Sequence, residues 1–471
     1  MSSYDLLIKN GYVVDPGSNL EGCYDVAIVN GKIEKIAANM DGTKAEEIVD
    51  AEGNCVIPGI IDLHTHMSGD FGGRYAHKMA AEVGVTTVLD MAGPIESSVE
   101  MAAKYGTGIN VACIHMVRSN ETIQGEDPSN AEIRIFLDKA LEAGAIGCKI
   151  LGGHYPLTPE ASARIIDMAN ERQVYVAFHV GTKNTGSNID GFLEAIDLAK
   201  GKALHIAHIN SYCRGQIRNA REEAEDAINA LIANPNITSE SYISPFNGTS
   251  GKCSKGVPES NVTKTCLIVG GFDPTEAGMA KSILNGWTHV NVPEGGRIVL
   301  KVGDGALAYW QANNTDAAVS YPINPFEPRV RLATAKRPDG SFVVDAISTD
   351  GGGIPRNVII DLGLSLVKLN GLSLREFATK TSLNPARILG LTTKGHFAVG
   401  MDADITIVNP ETQHAVMSFV VGKPVLYKGL VVGKGTNFIT TAAGEAAIRK
   451  VGLNPIVVNL AESAFYTKLR K

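Results

Sequence analysis

Val56-Ile57-Pro58-Gly59-Ile60-Ile61-Asp62-Leu63-His64-Thr65-His66 is the stretch whose reading decides the fold. An apolar run of strand character, opened by a Pro-Gly turn, ends on two histidines one residue apart. Side chains alternate faces along a strand, so residues two apart point the same way. His64 and His66 therefore converge on one point at the C-terminal end of a buried strand. Parallel α/β barrels carry their chemistry at that end. If the reading holds, other strands must deliver further ligands to the same place.

Outward from this stretch, residues 57–392 alternate strand and helix, which predicts a parallel sheet. Strands are expected at 57–63, 85–91, 109–115, 145–151, 174–180, 203–209, 238–245 and 343–349. Helices are expected between them at 72–83, 132–143, 158–172, 188–199 and 219–233. Eight strands is the number of a closed (β/α)8 barrel of the TIM type. The seventh and eighth strands are much further apart than the others. Residues 247–335 are accordingly read as an insertion over the barrel mouth, part of it a lid. Residues 1–56 hold short strands, with a hairpin signal at Asn30-Gly31 and no helical pattern. Residues 393–435 have the same texture, and neither piece can close a core alone. The two are paired into a small discontinuous β-sandwich built from both chain ends, leaving 436–471 as a C-terminal tail. The fold class is α/β: a barrel with a β satellite.

Bulk properties narrow the function classes. A chain of 471 residues suits a large barrel with such a satellite. The net charge of −7, without any basic run, argues against nucleic acid and anionic membrane surfaces as partners. No run reaches the length of a membrane span, and Met1-Ser2-Ser3-Tyr4-Asp5 opens no signal peptide. Seven scattered cysteines without a CxxC pair speak against a disulfide framework and for a reducing compartment. The expectation is a cytoplasmic protein whose partner is a small-molecule substrate.

The other strand ends carry the predicted ligands. Ala145-Ile146-Gly147-Cys148-Lys149-Ile150-Leu151 places a lysine among apolar residues, where an unpaired ammonium is costly. The fifth strand ends on His179, the sixth contains His205 and His208, and the eighth ends on Asp350 before three glycines. Singly, each has an ordinary explanation: a hydrogen-bonded core histidine, a paired lysine, a turn aspartate. Together, His64, His66, Lys149, His179, His208 and Asp350 fall at one end of successive parallel strands. Imidazole and carboxylate suit Zn²⁺ or a similar divalent ion. Four histidines, one aspartate and a lysine are too many for one tetrahedral centre but fit two metals sharing a bridge. Lysine can bridge only after CO₂ converts its amine into an anionic carbamate. Two metals would hold a hydroxide between them and lower its pKa toward neutrality.

With Gly147-Cys148-Lys149, His205-Ile206-Ala207-His208, Ser348-Thr349-Asp350, Asn384-Pro385-Ala386-Arg387-Ile388-Leu389-Gly390 and Gly400-Met401-Asp402-Ala403-Asp404-Ile405 added to the opening stretch, the chain resembles the amidohydrolase superfamily over nearly its whole length. The resemblance implies that His64, His66 and Asp350 hold one divalent metal and His179 and His208 the other. Carbamylated Lys149 would bridge them, with zinc the expected element. His205, on the opposite face of its strand, is assigned to core packing. The nearest branch is that of hydantoinases, dihydroorotases, isoaspartyl dipeptidases and N-acyl-D-amino-acid deacylases. Two positions depart from it. Ser68 stands where dihydroorotases carry an arginine two residues after the His-x-His, which argues against that activity. Gly181 stands where deacylases carry one after the fifth-strand histidine.

The implied reaction is hydrolysis of a C–N bond by a metal-bridging hydroxide, with Asp350 as general base and then acid. Tyr155 is the candidate oxyanion donor. Arg214, Arg356, Arg74 and Asn247 are the candidate substrate contacts, since a guanidinium suits a carboxylate or imide oxygen. The substrate would be a small amide, cyclic amide or imide, or an N-acyl or N-carbamoyl amino acid. A heterocycle deaminase on the same fold is disfavoured by Lys149. A non-catalytic hydantoinase-like scaffold is disfavoured by the full ligand set. Relatives imply a homo-oligomer, a dimer or tetramer.

Overall fold

The computed structural model describes residues 4–467; the first three residues of the expected 1–56 segment and the last four of the expected 436–471 tail lie outside the described residues. The opening stretch is two strands. Cys55–Pro58 belongs to a sheet made from the chain ends, and Ile60–His66 begins the parallel system. Gly59 joins them because nothing larger fits: a Cβ there would lie 2.4 Å from Thr86 Oγ1 and 3.1 Å from the Asp404 backbone. Its N–H donates to the Asp404 carbonyl at 2.8 Å, so the two chain ends lock together at this joint.

All eight expected parallel strands are present, at Ile60–His66, Val85–Asp90, Thr107–Cys113, Gly147–Leu151, Tyr175–His179, Leu204–Ile206, Ile237–Tyr242 and Ala346–Ser348. Helices Gly73–Glu82, Asn130–Glu142, Pro159–Glu171, Ile189–Ala199 and Ala220–Ala233 lie between them, as the apolar periodicity requires. The helix Ile95–Tyr105 is an addition to the expected set.

The parallel ladder is two six-stranded sheets and not one continuous ring. Its break falls inside the third strand. Thr107–Cys113 pairs with Val85–Asp90 on one side and Gly435–Thr440 on the other. Past Ile114 the chain continues as His115–Val117, which pairs with Gly147–Leu151. A strand from the far end of the chain thus occupies the edge where the fourth strand would have paired. A single hydrogen bond, from Ile146 N–H to the Cys113 carbonyl at 2.9 Å, spans the seam. At the other seam, the Thr349 backbone N–H and hydroxyl both donate to the buried Asp62 carboxylate, at 3.2 and 2.5 Å.

The chain ends form one nine-stranded sheet where a two-layered sandwich was expected. The reason is the central strand Cys55–Pro58, which pairs parallel with Tyr4–Asp15 and antiparallel with Ile405–Asn409. N- and C-terminal strands therefore join edge to edge. Val13, Val26, Ile28, Val56, Ile405 and Phe419 pack together, while Val14, Ile57 and Val408 face the parallel system.

The 247–335 segment is folded. Asn247–Ser250, Ala318–Tyr321, His289–Glu294 and Arg297–Lys301 form a four-stranded sheet. Helices Asn261–Val269, Glu276–Asn285 and Gly303–Ala312 close a separate core over it around Met279, Trp310 and Tyr321. Among the described residues there is no disulfide, and no helix is long and apolar enough to cross a membrane.

Candidate metal centre

The strand Ile60–His66 is buried along its whole length, so alternation carries His64 and His66 to the same interior point. Its end is fixed by Asp62, whose carboxylate accepts the His64 N–H at 3.1 Å besides the two Thr349 donors. Burial pushes Asp62 up to about 7 against the pull of these donors.

Two further ligand candidates sit in strained backbone. Asp350 has φ 52° and His208 has φ 36°, the left-handed region that costs a non-glycine residue about 1–3 kcal/mol. In both cases the strand has just ended and the turn aims the side chain at the cluster. Asp350 Oδ1 lies 2.9 Å from His66 Nε2 and 3.3 Å from His64 Nε2. These three residues bring donor atoms within 4.8 Å of one another. Lys149 Nζ stands 3.1 Å from His64 Nε2. His208 Nε2 is 3.0 Å from His179 Nδ1, and the His208 ring stacks on His64 at 5.0 Å. All six predicted ligands are therefore gathered into one interior cluster.

The protonation pattern fits a divalent cation. His64 Nδ1 faces the Glu240 carboxylate at 2.6 Å, so the ring proton lies there and Nε2 presents a lone pair. That lone pair faces Asp350, itself an acceptor. Burial first, then neighbouring Lys149, holds His64 well below the usual imidazole range; burial does the same for His179 and His208. Burial alone would raise Asp350, but Arg356, His64 and His66 outweigh it and hold its carboxyl well below the usual range. His208 Nδ1 is buried with no hydrogen-bond partner. The neutral imidazoles of His64, His179 and His208, the Asp350 carboxylate and a lysine lowered by burial to about 8 form a donor set of borderline character, suited to a first-row divalent ion.

The candidate substrate contacts divide. Arg356 is committed inside the site: Nη2 pairs with Asp350 Oδ2 at 2.6 Å and Nε donates to the Asp350 carbonyl at 2.5 Å. Its Nη1 holds the Phe246 carbonyl at 3.1 Å. Arg214 and Asn247 meet at 3.0 Å in a polar network at the same end of the strands. Tyr155 packs with Ala92, Met116 and Leu151 beneath the Arg118 guanidinium, 4.5 Å from its ring centre. Arg74 is exposed, its guanidinium over Tyr75, and is not among the groups brought to the cluster. His205 is buried against Tyr175, with Nδ1 3.1 Å from the Thr238 hydroxyl, in keeping with core packing.

Sequence reasoning missed Glu240. It lies in the fully buried strand Ile237–Tyr242 and accepts from His64 Nδ1, from the His208 backbone N–H at 2.5 Å and from the Ser348 hydroxyl. One carboxylate thus ties three strand ends together. The available signal was a lone charged residue within Ile237-Thr238-Ser239-Glu240-Ser241-Tyr242. Ser187, which contacts His179 Nε2 at 2.9 Å, gave no comparable signal.

Known proteins share the family signature and the fold of this chain. The Amidohydrolase family model matches residues 331–436. The chain is 25% identical over 443 residues to a dihydroorotase of Clostridium acetobutylicum, covering 87% of this chain and 91% of that protein. It is similar in fold to an N-acyl-D-glutamate deacylase from Bordetella bronchiseptica solved with zinc and a phosphonate inhibitor. The TM-score is 0.67 at 16% identity, over 92% of this chain and 98% of the other. A D-hydantoinase structure matches with a TM-score of 0.61 at 19% identity, over 92% and 98%.

Proposed function

We propose that this chain, an amidohydrolase, cleaves the C–N bond of a small amide, cyclic amide or imide, or N-acyl or N-carbamoyl amino acid, using two divalent metals held by the six clustered side chains. The observation that carries this is the meeting of His64, His66 and Asp350 donor atoms within 4.8 Å, with Lys149 and the His179–His208 pair alongside. His64, His66 and Asp350 would hold one ion, His179 and His208 the other, with zinc favoured by the donor types. When bound, such ions supply an activated water and polarise the scissile carbonyl.

The chain's own groups do the rest. Lys149, brought down by burial to about 8, carries a far larger neutral fraction near physiological pH than a free lysine, and the neutral amine is the form that can react with CO₂ to give the bridging carbamate. Asp350, held ionised by Arg356, accepts the proton of the attacking water at Oδ1 and returns it to the departing nitrogen. Glu240 fixes the His64 tautomer, and Asp62 fixes the end of the strand that bears it. The burial of His64, Lys149, His208 and Asp350 excludes bulk water and strengthens every charge interaction among them. A homo-oligomeric cytoplasmic enzyme, with its eight parallel strands in a TIM-type arrangement, completes the reading.

Metal analysis with a substrate screen tests it. Two zinc-like ions per chain and turnover of one class among hydantoins, cyclic imides, dipeptides and N-acyl amino acids are expected. A purified, folded protein that takes up no divalent metal would overturn it.

A further inference from the structure

We infer that Arg214 holds a carboxylate of the substrate, so that the enzyme acts on anionic amides and discriminates against their neutral counterparts. The inference rests on the hydrolase reading above and narrows its substrate class. Arg214 follows the His208 turn and is half-buried. Its Nε donates to Asn324 Oδ1 at 2.8 Å. Its Nη2 reaches Ser211 Oγ at 3.0 Å, Tyr242 Oη at 3.1 Å and Asn247 Oδ1 at 3.0 Å. Every one of these acceptors is neutral. Among the described residues Arg214 forms no ion pair, and its Nη1 has no protein partner. Arg356, the other guanidinium at this end, is neutralised by Asp350.

Neutral oxygens meet the hydrogen-bonding needs of this half-buried guanidinium without offsetting its charge. Here they also fix its direction. Asn324 cannot rotate freely, because its Nδ2 donates to the Ser244 carbonyl at 3.1 Å and the Phe246 carbonyl at 3.0 Å. The cradle therefore presents an uncompensated positive charge of set orientation, in a chain whose net charge is −7. It stands next to the proposed metals: Tyr242, which accepts from Arg214, lies with its ring 6.3 Å from that of His208. Its members come from the sixth-strand loop, the seventh strand and the 247–335 segment. A planar carboxylate can complete the guanidinium through Nη1, while the amide it flanks reaches the metal cluster.

The test uses zinc-loaded protein and a panel of N-acetyl amino acids of both hands, each paired with its uncharged carboxamide. For the acid that turns over best, kcat/KM should exceed that of its amide by about 100-fold or more. In Arg214→Met the ratio should fall to within about threefold of one, with Arg214→Lys in between. Calorimetric binding of the same acid and amide, and thermal melting of each variant, are read in parallel. Equal handling of acids and amides by the parent, or an Arg214→Met variant that keeps the acid preference, overturns the inference and leaves the hydrolase reading intact. Selective acid binding that Arg214→Met abolishes, without turnover of any panel member, supports the anion site and counts against the hydrolase reading.

Discussion

Replacement of Glu240 probes the support of the site apart from its ligands. Its Oε1 takes the His64 Nδ1 proton at 2.6 Å and the His208 N–H at 2.5 Å, and its Oε2 takes the Ser348 hydroxyl proton. Removing the carboxylate frees the His64 ring to turn and to exchange tautomers, so Nε2 no longer waits as a fixed lone pair. Loss of such a supporting partner costs about 10- to 100-fold in metal affinity, or about 1.4–2.7 kcal/mol. Glu240→Ala also strands three buried donors at about 1–3 kcal/mol each, so lower stability without metal is expected. Glu240→Gln separates the two effects. Its amide oxygen can serve His64 and His208, and the Ser348 oxygen can accept from its amide N–H. The Gln variant should therefore fold nearly as well as the parent, with zinc affinity at the mild end of the range, and the Ala variant should lie at the severe end. Chelator competition gives the zinc affinity and urea unfolding of metal-free protein gives the stability. Parental zinc affinity in a folded Glu240→Ala protein would refute the reasoning.

Other predictions follow from the same geometry. Lys149→Ala should abolish hydrolysis and recover part of it with small carboxylic acids that replace the bridge; full activity in the unsupplemented variant would refute the carbamate. His77 is buried with neither ring nitrogen partnered, and burial alone brings it to about 4 from the usual 6.5. Its folded value lies below the unfolded one, so its contribution is complete above about pH 6.5 and is lost as pH falls toward 4, a span worth about 3 kcal/mol. His77→Leu should flatten that part of the acid limb in urea unfolding, and an unchanged limb would count against the assignment. Arg356→Met leaves Asp350 buried without its partner, at about 3–5 kcal/mol in metal-free protein. Added zinc should restore part of that loss, and equal stability of parent and variant in urea would exclude the pairing.

The strand ends were legible because strand alternation is local: two histidines one residue apart must share a face wherever the strand lies. His208 and Asp350 were legible for a related reason, since each closes an apolar run whose direction is set by its neighbours. Glu240 was not. A single Glu in a strand of small polar residues reads as a solvent-facing position, and only the approach of His64, His208 and Ser348 from three other strands makes it interior. The split in the third strand was hidden in the same way, because its cause, Gly435–Thr440, lies at the far end of the chain. Likewise, nothing local announces that Cys55–Pro58 will weld the two chain ends into one sheet.

The two arginines link the fold to the function. Nearness in sequence to a ligand, Arg356 to Asp350 and Arg214 to His208, made both look like substrate contacts. The structure separates them by what each guanidinium meets: a carboxylate of the site for Arg356, four neutral oxygens for Arg214. Reaction class depends on donors at strand ends, whose directions follow from residues two apart. Substrate class depends on which charges remain unmatched after loops from distant segments have packed. The first is a property of short stretches of sequence, and the second exists only in the folded chain. Exchanging the two environments makes the point testable: Asn247→Asp should give Arg214 a carboxylate partner at its Nη2, and the acid preference expected above should fall with the six clustered ligands untouched. Undiminished preference for acids in Asn247→Asp would show that Arg214's charge is not what selects the substrate.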